Sequence, residues 1–148
     1  MVTPSDPFLI ADTSGLISLT VQTDTNHAPA IEASNPLRER ESTILVPYEV
    51  FVETVNVLGK RLGHDKAAAV ASYLTATPLF LVIDSSAQAR QHTMERFKAQ
   101  PQAVSFTDCV VMANADEYGT KVIFGFDTDH AKNGYEILPK KKEPSKNQ

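Results

Sequence analysis

The chain has 148 residues, 42% of them hydrophobic and 22% charged, which is the length of one domain with apolar content for one ordinary core. Composition argues against a disordered chain, the single cysteine, Cys109, excludes an internal disulfide, and no Cys/His cluster has zinc-finger spacing. A formal net charge of −4 argues against the broad basic footprint of a protein that coats nucleic acid, but it allows an acidic cluster with a basic rim.

The first residues lack the basic-then-apolar pattern of a secretion signal, and no apolar run approaches the length of a membrane span. The expectation is a soluble cytoplasmic protein with no membrane partner. Four short apolar runs then punctuate the chain: FLIA (8–11), TILV (43–46), LFLVI (79–83) and KVIFGF (121–126). They are apolar throughout, as strands of a parallel sheet covered on both faces are. The first run leads into a short helix over 14–20 and a longer one over 26–40, which contains Pro29 and Pro36. The second leads into the clearest helix, 47–62, with Pro47 in its first turn and Gly63 just past its end, and then into a helix over 65–76. The third is followed by helices over 85–98 and 106–118, the latter ended by Gly119. Strand alternating with helix predicts an α/β domain with a mostly parallel sheet over residues 1–138. The basic, polar tail over 139–148 is expected to be mobile, either without a role or as an added grip on phosphates.

Ligands of such sheets bind beyond the carboxyl ends of the strands. Three of the four runs are followed by an aspartate: Asp12, Asp84 and Asp127. Asp12 either caps the next helix or binds a ligand, and Thr13 or Ser14 could cap in its place. Asp84 directly precedes a good helix and reads as its cap. In helix 47–62, Phe51, Val55, Leu58 and Leu62 form the expected buried stripe, and Glu49, Glu53, Asn56 and Lys60 a polar one. Glu49 complements the helix dipole; neither dipole nor cap accounts for Glu53. Ser105 and Asp108 have capping-box spacing, and Asp116 and Glu117 read as a solvated face. Asp127, Thr128 and Asp129 are either turn chemistry or hard oxygen ligands. His27 reads as a surface or capping group. Carboxylates gathered at one end of one sheet repel one another unless a cation sits among them. An oxygen-only set favours magnesium or manganese, and such a site suits phosphodiester hydrolysis.

The stretches ADTSGLISL, ILVPYEVFVETVNVL, SFTDCVVMANADEYG and VIFGFDTDHAKNGYEIL, in this order and spacing, resemble the PIN-domain ribonucleases. The likeness is strongest to the VapC-like toxins of type II toxin–antitoxin modules and runs from about residue 7 to about residue 138. It implies a three-layer α/β/α sandwich and endonucleolytic cleavage of RNA by a water activated by Mg2+ or Mn2+. It implies that Asp12, Glu53, Asp108 and Asp127 bind the metal, and Asp129 matches a position that is acidic in some members only. Thr13 resembles a frequent hydroxyl beside the first aspartate. Asp84 follows a strand expected at the sheet edge, away from the site. The resemblance also implies a homodimer and a small antitoxin protein that inserts into the acidic groove. Lys60, Arg61 and the basic tail are candidate phosphate contacts.

The chain departs from the family at Gly125, where many members carry Thr or Ser. The expectation there is a lost supporting hydroxyl, a change that weakens metal affinity by about 10- to 100-fold. Two other readings stay open. In a haloacid-dehalogenase-like phosphatase, Asp12 would accept a phosphoryl group, but a second aspartate is then expected where this chain has Ser14, and a glycine–threonine pair where it has Gly15 and Leu16. A degenerate PIN domain would bind RNA or a protein partner without cutting.

Overall fold

The computed structural model describes residues 7–101 and 103–140. The elements run β1 (Phe8–Ala11), α1 (Thr13–Thr20), α2 (His27–Glu39), β2 (Thr43–Pro47), α3 (Tyr48–Leu62), α4 (His64–Ala76), β3 (Phe80–Ile83), α5 (Ala87–Ala99), α6 (Phe106–Glu117), β4 (Val122–Phe124), α7 (Thr128–Lys132) and β5 (Glu136–Leu138). The five strands form one sheet in the order β3-β2-β1-β4-β5, and every pairing is parallel. The expected α/β/α sandwich is therefore the observed architecture, with a sheet that is parallel throughout.

The topology fixes where chemistry can occur. From β1 the chain steps outward through β2 to β3, then returns to lay β4 on the other side of β1. Right-handed crossovers put α1 to α4 over one face and α5 and α6 over the other. The winding reverses between β1 and β4, and a crevice opens there beyond their carboxyl ends. Asp12 and Asp127 follow these two strands.

The core explains the apolar runs. Leu9, Ile10 and Ala11 of β1 and Ile123 and Phe124 of β4 are wholly buried. In α6, residues Cys109 to Ala115 are all buried, because this helix lies under α5 as well as on the sheet. The buried side of α3 is Val50, Thr54 and Leu58, which corrects the stripe expected from the sequence. Phe51 and Val55 pack at its border and Leu62 is exposed. Thr54 can face the core because its hydroxyl donates to the Val50 carbonyl. Asp116 is exposed, as expected, but it is also paired: it accepts from Tyr135 and pairs with Arg96, which ties α5 and α6 to the approach to β5. Burial opposes its charge, but these hydrogen bonds outweigh it and hold the carboxyl below its ordinary range.

Gly15 shows how tightly α1 seats on β4. A Cβ at this position would stand 2.3 Å from the Phe124 carbonyl oxygen, and backbone cannot step aside. Gly15→Ala is expected to destabilise the fold by about 3 kcal/mol, the upper end for overpacking. Chemical denaturation would show the midpoint falling; an unchanged midpoint would contradict this packing.

Among the described residues, no helix is long and apolar enough to cross a membrane. Residues 141–148, most of the basic tail, lie outside the described residues.

Candidate metal centre

Asp12 ends β1 and starts α1. Its backbone is extended (φ −103°, ψ 171°), as an N-cap requires. Its Oδ1 accepts from Gly15 N at 2.8 Å and from Ser14 Oγ at 2.7 Å. Thr13 and Ser14 therefore do not relieve Asp12 of capping: they lie inside the first turn, and Asp12 alone has the cap conformation. Its Oδ2 has no hydrogen-bond partner, and Asp12 is only 4% exposed.

Asp108 behaves in the same way. The capping box is formed: Asp108 N donates to Ser105 Oγ, and Asp108 Oδ2 accepts from Ser105 N, both at 3.1 Å. Oδ1 remains directed at the crevice. Burial raises the Asp108 pKa; the backbone hydrogen bond from Ser105 works against this, and the nearby charge of Asp127 adds to it. Asp127 caps α7, with Oδ1 accepting from Asp129 N at 2.9 Å. For each of the three aspartates, one oxygen holds a helix start while the other is left over. Cap and ligand, which the sequence presents as alternatives, fall on two oxygens of one carboxylate.

Glu53 projects from α3 and is held from across the crevice, with Thr107 Oγ1 donating to its Oε2 at 2.9 Å. Asp12, Glu53, Asp108 and Asp127 line one cavity of about 470 Å³, together with Asp24 and Arg61. Asp129 is not among the lining residues; its Oδ1 lies 3.6 Å from Lys132 Nζ. Asp84 is exposed, and the cap of α5 is Ser86, whose hydroxyl accepts from Ala89 N. The expected Asp84 cap is therefore corrected, since the chain stays extended for two more residues before the helix begins. His27 bonds the Ser18 carbonyl through Nδ1 at 2.8 Å.

Gly125 acquires a different meaning. A Cβ there would stand 2.0 to 2.2 Å from the Asp12 carboxylate, so the space left by glycine is the space that carboxylate fills. A hydroxyl is not missing either: Ser14 Oγ donates to Asp12 and accepts from Phe126 N at 2.9 Å.

Sequence reasoning missed His130. It is fully buried, with Nε2 3.2 Å from Asp12 Oδ2 and 3.8 Å from Asp108 Oδ1. Burial disfavours its charge, but the carboxylate of Asp12 and then those of Asp108 and Asp127 outweigh burial and raise its pKa. One signal was available. His130 lies three residues after Asp127, so once 128–132 is helical both side chains share a face.

The donor set fits a divalent cation. One oxygen each from Asp108 and Asp127 and a ring nitrogen of His130 lie within 4.8 Å of one another, and Asp12 Oδ2 is an orphaned buried acceptor beside them. Hard oxygen donors of this kind suit magnesium or manganese.

Comparison with known proteins identifies the family and the fold. The PIN domain family profile matches residues 9–134. Among curated proteins no sequence matches. The structure of Mycobacterium tuberculosis VapC20, a sarcin-ricin loop cleaving toxin, is similar with 25% identity and a TM-score of 0.75, covering 86% of this chain and 95% of that one. DNA-bound VapBC from Salmonella typhimurium shares the fold, with 18% identity and a TM-score of 0.65 over 88% of this chain and 95% of that one. The chain belongs to the PIN domain family.

Proposed function

We propose that the protein is a divalent-metal-dependent endoribonuclease and the toxin of a toxin–antitoxin module. The observation that carries this reading is the convergence of leftover carboxylate oxygens, above all Asp12 Oδ2, buried without a hydrogen bond. Leaving a buried acceptor unsatisfied costs about 1–3 kcal/mol, and more when it is charged. A cation answers that cost and the mutual repulsion of the acids together.

In this reading Asp12, Asp108 and Asp127 hold Mg2+ or Mn2+, and Glu53 reaches the same cavity. Asp129, turned toward Lys132, stays outside the set. When bound, the cation lowers the pKa of a water and offsets charge on the scissile phosphate. The chain's own residues fix positions. Ser14 and Gly15 hold Asp12, the capping box holds Asp108, and Thr107 holds Glu53. Arg61 lines the cavity as a phosphate contact, with Lys60 exposed beside it. The Ser14 and Thr107 hydroxyls are committed to carboxylates, so neither serves as a covalent nucleophile.

The likeness to VapC20, a sarcin-ricin loop cleaving toxin, makes that loop the first RNA to test. A cytoplasmic homodimer restrained by a small antitoxin protein completes the reading. An antitoxin arginine in the groove would pair with these carboxylates much as a cation does. The PIN domain runs over 1–138, with the basic tail as a supporting contact for RNA.

Metal removal tests the proposal. RNA cleavage is expected to stop in a chelator and return with Mn2+ or Mg2+. Cleavage that continues in the chelator would sink the mechanism. Absence of cleavage with any metal and any RNA would leave a PIN domain that binds without cutting.

A further inference from the structure

His130 is an imidazole at the edge of a carboxylate cluster, sealed from solvent, with neither ring nitrogen hydrogen-bonded. Its place follows from the backbone. Asp127 caps α7, and the turn of helix that follows brings residue 130 back beneath Asp127 and against Asp12. Phe124 and Ile123 of β4 are buried in the same region of the fold, where an apolar side chain would pack without an unsatisfied nitrogen. An imidazole there leaves Nδ1 without a partner, at a cost of about 1–3 kcal/mol, and gives Nε2 only the contact with the Asp12 carboxylate. Nε2 is the atom aimed at the site, 3.2 Å from Asp12 Oδ2 and 3.8 Å from Asp108 Oδ1. Those separations are too long for good hydrogen bonds to both and short enough for all three atoms to reach one ion.

We propose that His130 Nε2 is a direct ligand in this centre, which makes it a mixed nitrogen–oxygen site that selects Mn2+ over Mg2+. Imidazole adds little for Mg2+, which prefers oxygen and keeps its waters, whereas transition metals gain from a nitrogen donor. The inference rests on the carboxylate centre proposed above and adds a fourth side chain, from the helix that Asp127 caps, together with a metal preference.

The test is binding and spectroscopy of the whole chain. Mn2+ and Mg2+ are titrated calorimetrically into wild type, His130→Gln and His130→Phe, and pulsed EPR is recorded on the Mn2+-loaded proteins. Phe supplies apolar bulk should Gln fail to fold. The expected results are 14N modulation from Mn2+ in wild type that vanishes in the variants. Mn2+ affinity falls at least about 10-fold in the variants while Mg2+ affinity changes by less than about 3-fold. Mn2+ binding without nitrogen modulation, or equal losses for both metals, would overturn the role of His130 and leave the carboxylate centre standing. Failure of wild type to bind Mn2+ at all would overturn the centre itself, and the inference with it.

Discussion

Asp12→Asn is expected to reduce RNA cleavage by more than about 100-fold, beyond the loss typical of groups that only support a ligand. The helix cap should be kept, because asparagine caps helices as well as aspartate does, so any loss of stability comes from the buried contact with His130. The retained carbonyl oxygen can still accept from Gly15 N and Ser14 Oγ, the bonds that Oδ1 now makes. The new amide takes the place of Oδ2, the buried oxygen that faces His130 Nε2 at 3.2 Å. The substitution thus separates the two roles of one carboxylate: the helix start survives and the free oxygen is lost. Cleavage assays and urea denaturation on the same preparations would check it. Cleavage within a few-fold of wild type would show that Asp12 is a cap and nothing more.

Gly125→Ala is the second large effect, and its size should differ between two measurements. The added Cβ falls 2.0 to 2.2 Å from the Asp12 carboxylate atoms. A side-chain end can rotate away, so the backbone need not move. Rotation breaks the bonds to Ser14 and Gly15, a loss of about 1–2 kcal/mol for a helix cap. It also withdraws Oδ2 from His130 Nε2. Mn2+ affinity is therefore expected to fall at least about 10-fold, and cleavage with it. Gly125→Thr, which restores the residue type common in the family, is expected to be at least as damaging. If either variant binds metal as tightly as wild type, the coupling between Gly125 and Asp12 is wrong.

These two positions show what could be read from the sequence. The four apolar runs marked β1 to β4 because strands buried on both faces leave no polar alternation to confuse. Asp108 was legible as a capping box from Ser105 alone. Asp12, Glu53, Asp108 and Asp127 were picked out, and the structure gathers them around one cavity. The division of labour between carboxylate oxygens was not legible, since a sequence carries residue types and not atoms. Gly125 looked like a deletion of a hydroxyl; only the fold shows that Asp12 occupies its space and that Ser14, far away in the chain, bonds Phe126 N. β5 was overlooked because it is a three-residue edge strand without a buried face. α7 was overlooked because five residues between Asp127 and Asn133 look like a turn. With α7 unseen, His130 had no reason to point at Asp12.

The central claim is that the oxygens left over from three helix starts converge on one cation. A crystal equilibrated with Mn2+ and measured near the manganese absorption edge tests it most directly. The account predicts one strong anomalous peak bounded by Asp12 Oδ2, Asp108 Oδ1 and the free oxygen of Asp127. No peak there, with Mn2+ absent or bound elsewhere on the surface, would contradict it and return the three aspartates to capping alone.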